Sequence, residues 1–130
     1  MSGNYSVQIE GFAERHFIKS FEKKYKTHWD FTLRAIMAEL ERIDTLLLTS
    51  RAETICDAGD IKIVKTKFRV AGTKESAKIS GNRCIVAWHT DKQFVVVLLV
   101  YAKTDITGDK ETAQWKKIVK ENYPAYRALL

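Results

Sequence analysis

Phe94-Val95-Val96-Val97-Leu98-Leu99-Val100-Tyr101-Ala102-Lys103 begins with seven apolar residues in succession, so neither parity of the run is polar. A strand with one wet face alternates apolar and polar side chains, whereas a strand covered on both faces does not. The run therefore predicts an interior strand of a sheet, with little exposure on either face. At nine apolar residues, 94–102, it is far too short to cross a bilayer.

Upstream, Arg83–His89 also reads as a strand, joined to the first through a turn at Asp91 and Lys92. Alternation places Cys84, Val86 and Trp88 on one side and Arg83, Ile85, Ala87 and His89 on the other. A third strand is expected over 61–71, with Val64, Phe68 and Val70 on one side and Lys65, Lys67 and Arg69 on the other. Between Gly72 and Gly81 the pattern predicts a loop carrying Lys74 and Lys78.

Beyond Lys103 the period becomes helical, with Thr107 or Asp109 as cap, Trp115, Ile118 and Val119 as the apolar side, and Pro124 as the stop. At the other end of the chain, Tyr5 to Ile9 alternates as a short strand before Gly11. Phe17, Phe21 and Tyr25 then recur every fourth residue beside Ile18, which makes a helical stripe. Thr27 and Asp30 have the spacing of a capping arrangement, and Leu33, Ile36, Leu40, Ile43 and Leu47 continue the stripe in a second helix. The expected fold is α+β, one domain over 1–130. An N-terminal strand and a helical hairpin pack on a small, mostly antiparallel sheet, and a C-terminal helix follows.

The chain has 130 residues, 22 Lys and Arg against 16 Asp and Glu, and a formal charge of +6. A basic surface favours polyanions, because cations that meet phosphates release condensed counterions. Cys56 and Cys84 stand apart from each other and from any histidine at metal-ligand spacing. His16, His28 and His89 form no His-x-x-x-His arrangement, so no metal or other cofactor is expected. Met1 to Glu10 holds no apolar signal core, and a reduced, cytoplasmic setting is expected.

Where the positive charge falls is more informative than its sum. Lys65, Lys67 and Arg69 share a parity, which spaces neighbours roughly 6.5–7 Å apart, near the repeat of phosphates along an extended nucleic-acid backbone. Arg83 has the matching side of the next strand. In the last strand Val95, Val97, Leu99, Tyr101 and Lys103 share a parity, bringing Tyr101 and Lys103 to its end. These strand faces carry almost no acidic residues, so an anionic ligand is expected to compensate them. The competing reading is that the cations are only the sheet's solvated side.

With the order of elements, Gly81-Asn82-Arg83-Cys84-Ile85-Val86-Ala87-Trp88 and Val97-Leu98-Leu99-Val100-Tyr101-Ala102-Lys103 resemble the RelE/ParE toxin superfamily, especially its HigB-like branch. The resemblance extends in architecture from Tyr5 to Tyr123 and is specific from Lys65 to Lys103. It implies a RelE-like fold and the toxin of a type II toxin–antitoxin pair. It further implies an endoribonuclease that cuts mRNA in the ribosomal A site without metal, the RNA's own 2′-hydroxyl attacking the adjacent phosphate.

By position, the resemblance implies that Lys65 or Lys67 is the base, Arg83 the phosphate clamp and Lys103 a further catalytic cation. Arg69, Lys74, Lys78, Tyr101 and His89 are expected to contact RNA. Some relatives carry an arginine after the lysine matched by Lys103; here Thr104 follows, so a cation on the acid side of the reaction is missing. An amphipathic antitoxin, helped by acidic residues, is expected across the helical hairpin or the basic cleft, and the free toxin is expected to be a monomer. A ParE-like gyrase poison and a non-catalytic RNA-binding module remain alternatives.

Overall fold

The computed structural model describes residues 4–102, 105–106 and 110–130. The chain runs β1 (Ser6–Ile9), α1 (11–25), α2 (Thr27–Leu40), a short α3 (Ile43–Leu46), β2 (Ala52–Asp57) and β3 (Ile61–Lys67). It continues through one turn of helix, α4 (Ala77–Ser80), then β4 (Arg83–His89), β5 (Phe94–Tyr101), α5 (Glu111–Asn122) and a 3₁₀ segment (Pro124–Leu129). This is the expected α+β architecture. The expected caps Thr107 and Asp109 lie outside the described residues.

Every fourth residue of α1 being aromatic gives it a single buried stripe, although Glu14–Ile18 winds more widely as a π-helical turn. Lys26 alone joins α1 to α2, in the positive-φ half of backbone space (φ 52°). From α2, Trp29, Ile36 and Leu40 are buried, and Trp29 stacks on Phe21 at 4.6 Å between ring centroids. Pro124 does close the last α-helix and opens the 3₁₀ segment, where its fixed φ and missing N–H cost nothing.

The five strands are ordered β1-β5-β4-β3-β2, with β1 parallel to β5 and the remaining pairs antiparallel. One face meets α1 and α2: Val64, Cys84, Val86, Val95, Val97 and Val100 pack with Ile18, Phe21, Trp29, Ile36 and Leu40. The second face meets α5 and the C-terminal segment: Ile63, Ile85, Ala87, Val96, Leu99 and Tyr101 pack with Trp115, Val119, Tyr123 and Tyr126. Two covers explain why β5 needs no polar parity. All of Val95 to Tyr101 are buried.

Three expectations are corrected. The segment before β3 forms a strand, β2, which was not foreseen; it is an exposed edge strand with Glu53, Thr54 and Asp57 facing solvent. Next, β3 ends at Lys67 rather than Ala71, so Arg69 lies beyond the regular alternation. Finally, the single parity assigned to β5 breaks. Ile85 pairs with Leu99 but Val86 pairs with Val97, which leaves Leu98 as an extra residue, a β-bulge. Val95 and Val97 accordingly face the helical hairpin, while Leu99 and Tyr101 face α5.

The segment expected as a loop is ordered by α4. Ser76 caps it by accepting the Ile79 N–H at 3.2 Å, and Gly81 ends it at φ 75°, a conformation in which a β-carbon is strained. Gly72 has a different role, since a β-carbon there would come within 3.0 Å of the His28 ring. Thr32 fastens the same stretch to α2 by accepting the Ala71 N–H at 2.8 Å.

Candidate active site

Strand register brings distant basic residues into rows. Lys67 pairs with Arg83, and Arg83 pairs with Tyr101, so these three side chains cross β3, β4 and β5 on the second face. One step inward, Glu53, Lys65, Ile85 and Leu99 form the next row. Toward the middle of the sheet this face is covered by α5. At the Lys67–Arg83 row the two cations are only partly buried.

Arg83 turns back over α4. Its Nη1 donates to the carbonyls of Ala77 (3.2 Å) and Asn82 (2.9 Å), and its Nη2 donates to Lys78 (3.0 Å). The Ala77 and Lys78 carbonyls belong to the one-turn helix and the Asn82 carbonyl immediately precedes the strand that follows, so the guanidinium ties the two together. A guanidinium has five N–H groups, so two make no bond among the described residues and could meet an anion, with the plane already fixed by the other three.

Lys65 is not free, contrary to the expectation of faces almost without acid. Its Nζ lies 3.5 Å from Glu111 Oε2 and 4.0 Å from Glu53 Oε1, and its side chain is 15% exposed. Glu53 comes from the unforeseen β2, and Glu111 is the first residue of α5. Tyr101 is fully buried and donates its hydroxyl to the same Glu111 Oε2 at 2.6 Å. Burial, and then the Glu111 carboxylate, push the phenol well above its ordinary range, so it stays protonated and donating. A buried Tyr101 presents no ring face on which a base can stack.

The remaining sequence candidates are dispersed. Arg69 is exposed and lines a groove of about 400 Å³ with Thr32, Ala35 and Glu39 of α2 and with Ser76. Lys74 and Lys78 are exposed on the segment around α4, and Lys78 reaches the site only through its carbonyl. His89 occupies the far end of β4. It stacks on Phe94 at 4.1 Å, and its Nε2 meets the Tyr126 hydroxyl at 2.9 Å. Lys103 and Thr104 lie outside the described residues. Cys84 points to the helical-hairpin side, and burial pushes its thiol up to about 12, which removes it as a nucleophile at neutral pH.

No protein-family model matches the sequence, and no curated protein matches it. Among solved structures, the archaeal RelE–RelB complex from Pyrococcus horikoshii OT3 superposes with a TM-score of 0.54 at 13% identity, covering 77% of this chain and 96% of that one. This chain has a RelE-like fold. A mutant of E. coli toxin RelE in the free state also matches, with a TM-score of 0.48 at 16% identity, over 89% of this chain and 98% of that one. No helix among the described residues of this RelE-like chain is long and apolar enough to cross a membrane.

Within the RelE-like framework, the two carboxylates are the charged groups at the basic rows that strand alternation did not reveal. Glu53 was hidden in a short polar strand. Glu111 had one local signal, its place in the first turn of a helix, where a negative charge is favoured. Nothing in the sequence says that this turn docks on the basic row.

Proposed function

We propose that this chain is the toxin of a type II toxin–antitoxin system, of the HigB-like branch, acting as a single-domain mRNA endoribonuclease in the ribosomal A site. The observation that carries the reading is the Lys67–Arg83–Tyr101 row, with Lys65 one step inward, at the partly open end of a RelE-like sheet. Arg83 is the phosphate clamp: three fixed N–H bonds orient it and two N–H groups remain. Lys65, Lys67 and Lys103 supply positive charge for the phosphorane and a proton for the departing oxygen. Arg69, Lys74 and Lys78 would meet the flanking RNA.

The partner is an antitoxin that covers the basic row with acidic residues, a reading supported by the fold's match to a toxin–antitoxin complex. The setting is the cytoplasm, where mRNA and ribosomes are found.

The test is induced expression followed by primer extension on total RNA, comparing wild type with Arg83→Ala and Lys67→Ala. New RNA ends inside codons are expected from wild type. Arg83→Ala should reduce them by about 10²–10³, the cost of removing one preorganised donor at a transition-state anion. Growth arrest without new ends would refute the nuclease reading, and gyrase-linked DNA breaks in that case would support the ParE-like alternative.

A further inference from the structure

A reaction begun by the 2′-hydroxyl needs a group that can accept its proton. Lysine at neutral pH is an ammonium with no lone pair to offer unless uncompensated positive charge surrounds it. That condition fails at Lys65, which has Glu111 at 3.5 Å and Glu53 at 4.0 Å. Between Lys65 and the two carboxylates that flank it, a carboxylate is the better acceptor.

Resting on the nuclease reading above, we propose that Glu111 is the general base. Its Oε2 is fixed from two sides, by the Tyr101 hydroxyl at 2.6 Å and by the Lys65 ammonium. Its Oε1 has no hydrogen bond or ion pair among the described residues. The side chain is 33% exposed, so solvent and substrate reach it. The pinning phenol belongs to Tyr101, the cross-strand partner of Arg83, so one residue links the carboxylate to the row that holds the phosphate clamp. Glu53 is less suited: it is 60% exposed, pairs among the described residues with Lys65 alone, at 4.0 Å, and sits on β2, two strands from Arg83.

The step balances with groups on the page. Oε1 takes the proton as the 2′-oxygen bonds to phosphorus. The bond from phosphorus to the 5′-oxygen breaks, and a lysine ammonium of the cluster protonates that oxygen. The products are a 2′,3′-cyclic phosphate and a 5′-hydroxyl, and exchange with water restores both side chains. Tyr101 is a positioning residue.

Glu111 has one rival role, that of an internal anion seated where the phosphate must bind. The two roles predict opposite results for Glu111→Gln, which keeps the shape and an acceptor for Tyr101. Single-turnover cleavage of ribosome-bound mRNA by the full chain, with RNA binding measured in parallel, separates them. A base should lose about 10²–10⁴ in cleavage rate with RNA affinity unchanged or higher, while Glu111→Asp retains partial activity. Cleavage by Glu111→Gln at or above the wild-type rate would overturn the proposal and leave the nuclease reading standing. Absence of cleavage by wild type would overturn both. Thermal melting of each variant identifies loss of fold, in which case the activity of Glu111→Asp decides: a carboxylate-bearing variant as inactive as Glu111→Gln, although folded, would also overturn the proposal.

Discussion

The two ends of β4 carry side chains of the same parity and have opposite character. At one end Arg83 grips three carbonyls and retains spare donors, flanked by Lys67, by Tyr101 and, through Tyr101, by Glu111. At the other end His89 is closed into a ring stack with Phe94 and a contact with Tyr126 of the C-terminal segment. Alternation assigns both residues to one face, yet six strand steps separate them by about 20 Å. Sharing a face is therefore a weak criterion for sharing a site; the cross-strand row is the stronger one.

That contrast can be broken most severely at the bulge. Deleting Leu98 removes the extra residue, so Val95 and Val97 keep the helical-hairpin face and Leu99 and Tyr101 keep the α5 face in simple alternation, at the cost of one fully buried leucine and the local twist of the bulge. We expect a loss of about 2–5 kcal/mol, measured by urea unfolding, with the Tyr101–Glu111 bond retained. A deletion variant that unfolds outright would show that the bulge itself, and not only its packing, is needed to bring Tyr101 to α5.

Two tyrosine substitutions compare the ends directly. Tyr101→Phe removes a buried hydroxyl bonded to a carboxylate and should cost about 1.5–3 kcal/mol, whereas Tyr126→Phe removes a bond to an imidazole and should cost about 0.5–1.5 kcal/mol. Chemical denaturation of both variants checks the order. If Tyr126→Phe proved the costlier, the Glu111 network would be looser than its 2.6 Å bond indicates.

The smallest effect is a pH dependence confined to the His89 end. Burial, then the nearby Lys92, lower the His89 pKa below its ordinary 6.5, against the pull of Asp91 and Asp60. Since the folded value lies below the unfolded one, the unfolded chain binds more protons between them. The contribution is thus fully present above the ordinary histidine range and is lost as pH falls through it. Wild type should lose slightly more Tm between pH 7.5 and 5.5 than His89→Phe does. Identical losses would mean that His89 titrates alike in both states.

The sequence was read well where one local signal sufficed. The doubly apolar run of β5, the aromatic stripe of α1, and Pro124 after α5 each express a constraint within a few residues, and all appear in the structure. That Lys67 and Arg83 share a face also followed, since β3 and β4 alternate regularly up to that row, but their register as direct partners did not. What failed depended on long-range docking. β2 is an edge strand, so its Glu53, Thr54 and Asp57 are exposed and its apolar content is too small to announce a strand. Glu111 follows Lys65 by 46 positions, and its arrival at the basic row depends on how Trp115 and Val119 seat α5. No periodicity encodes that meeting.

The extra residue at Leu98 makes β5 a strand read in two frames. Its first half is phased to the helical hairpin and its second half to α5, with the slip between them buried at the centre of the sheet. In related chains that lack the slip, the side chain equivalent to Tyr101 would have to lie one position earlier or later. Alignments of this fold that forbid gaps within strands would then misassign the tyrosine while matching every apolar position around it.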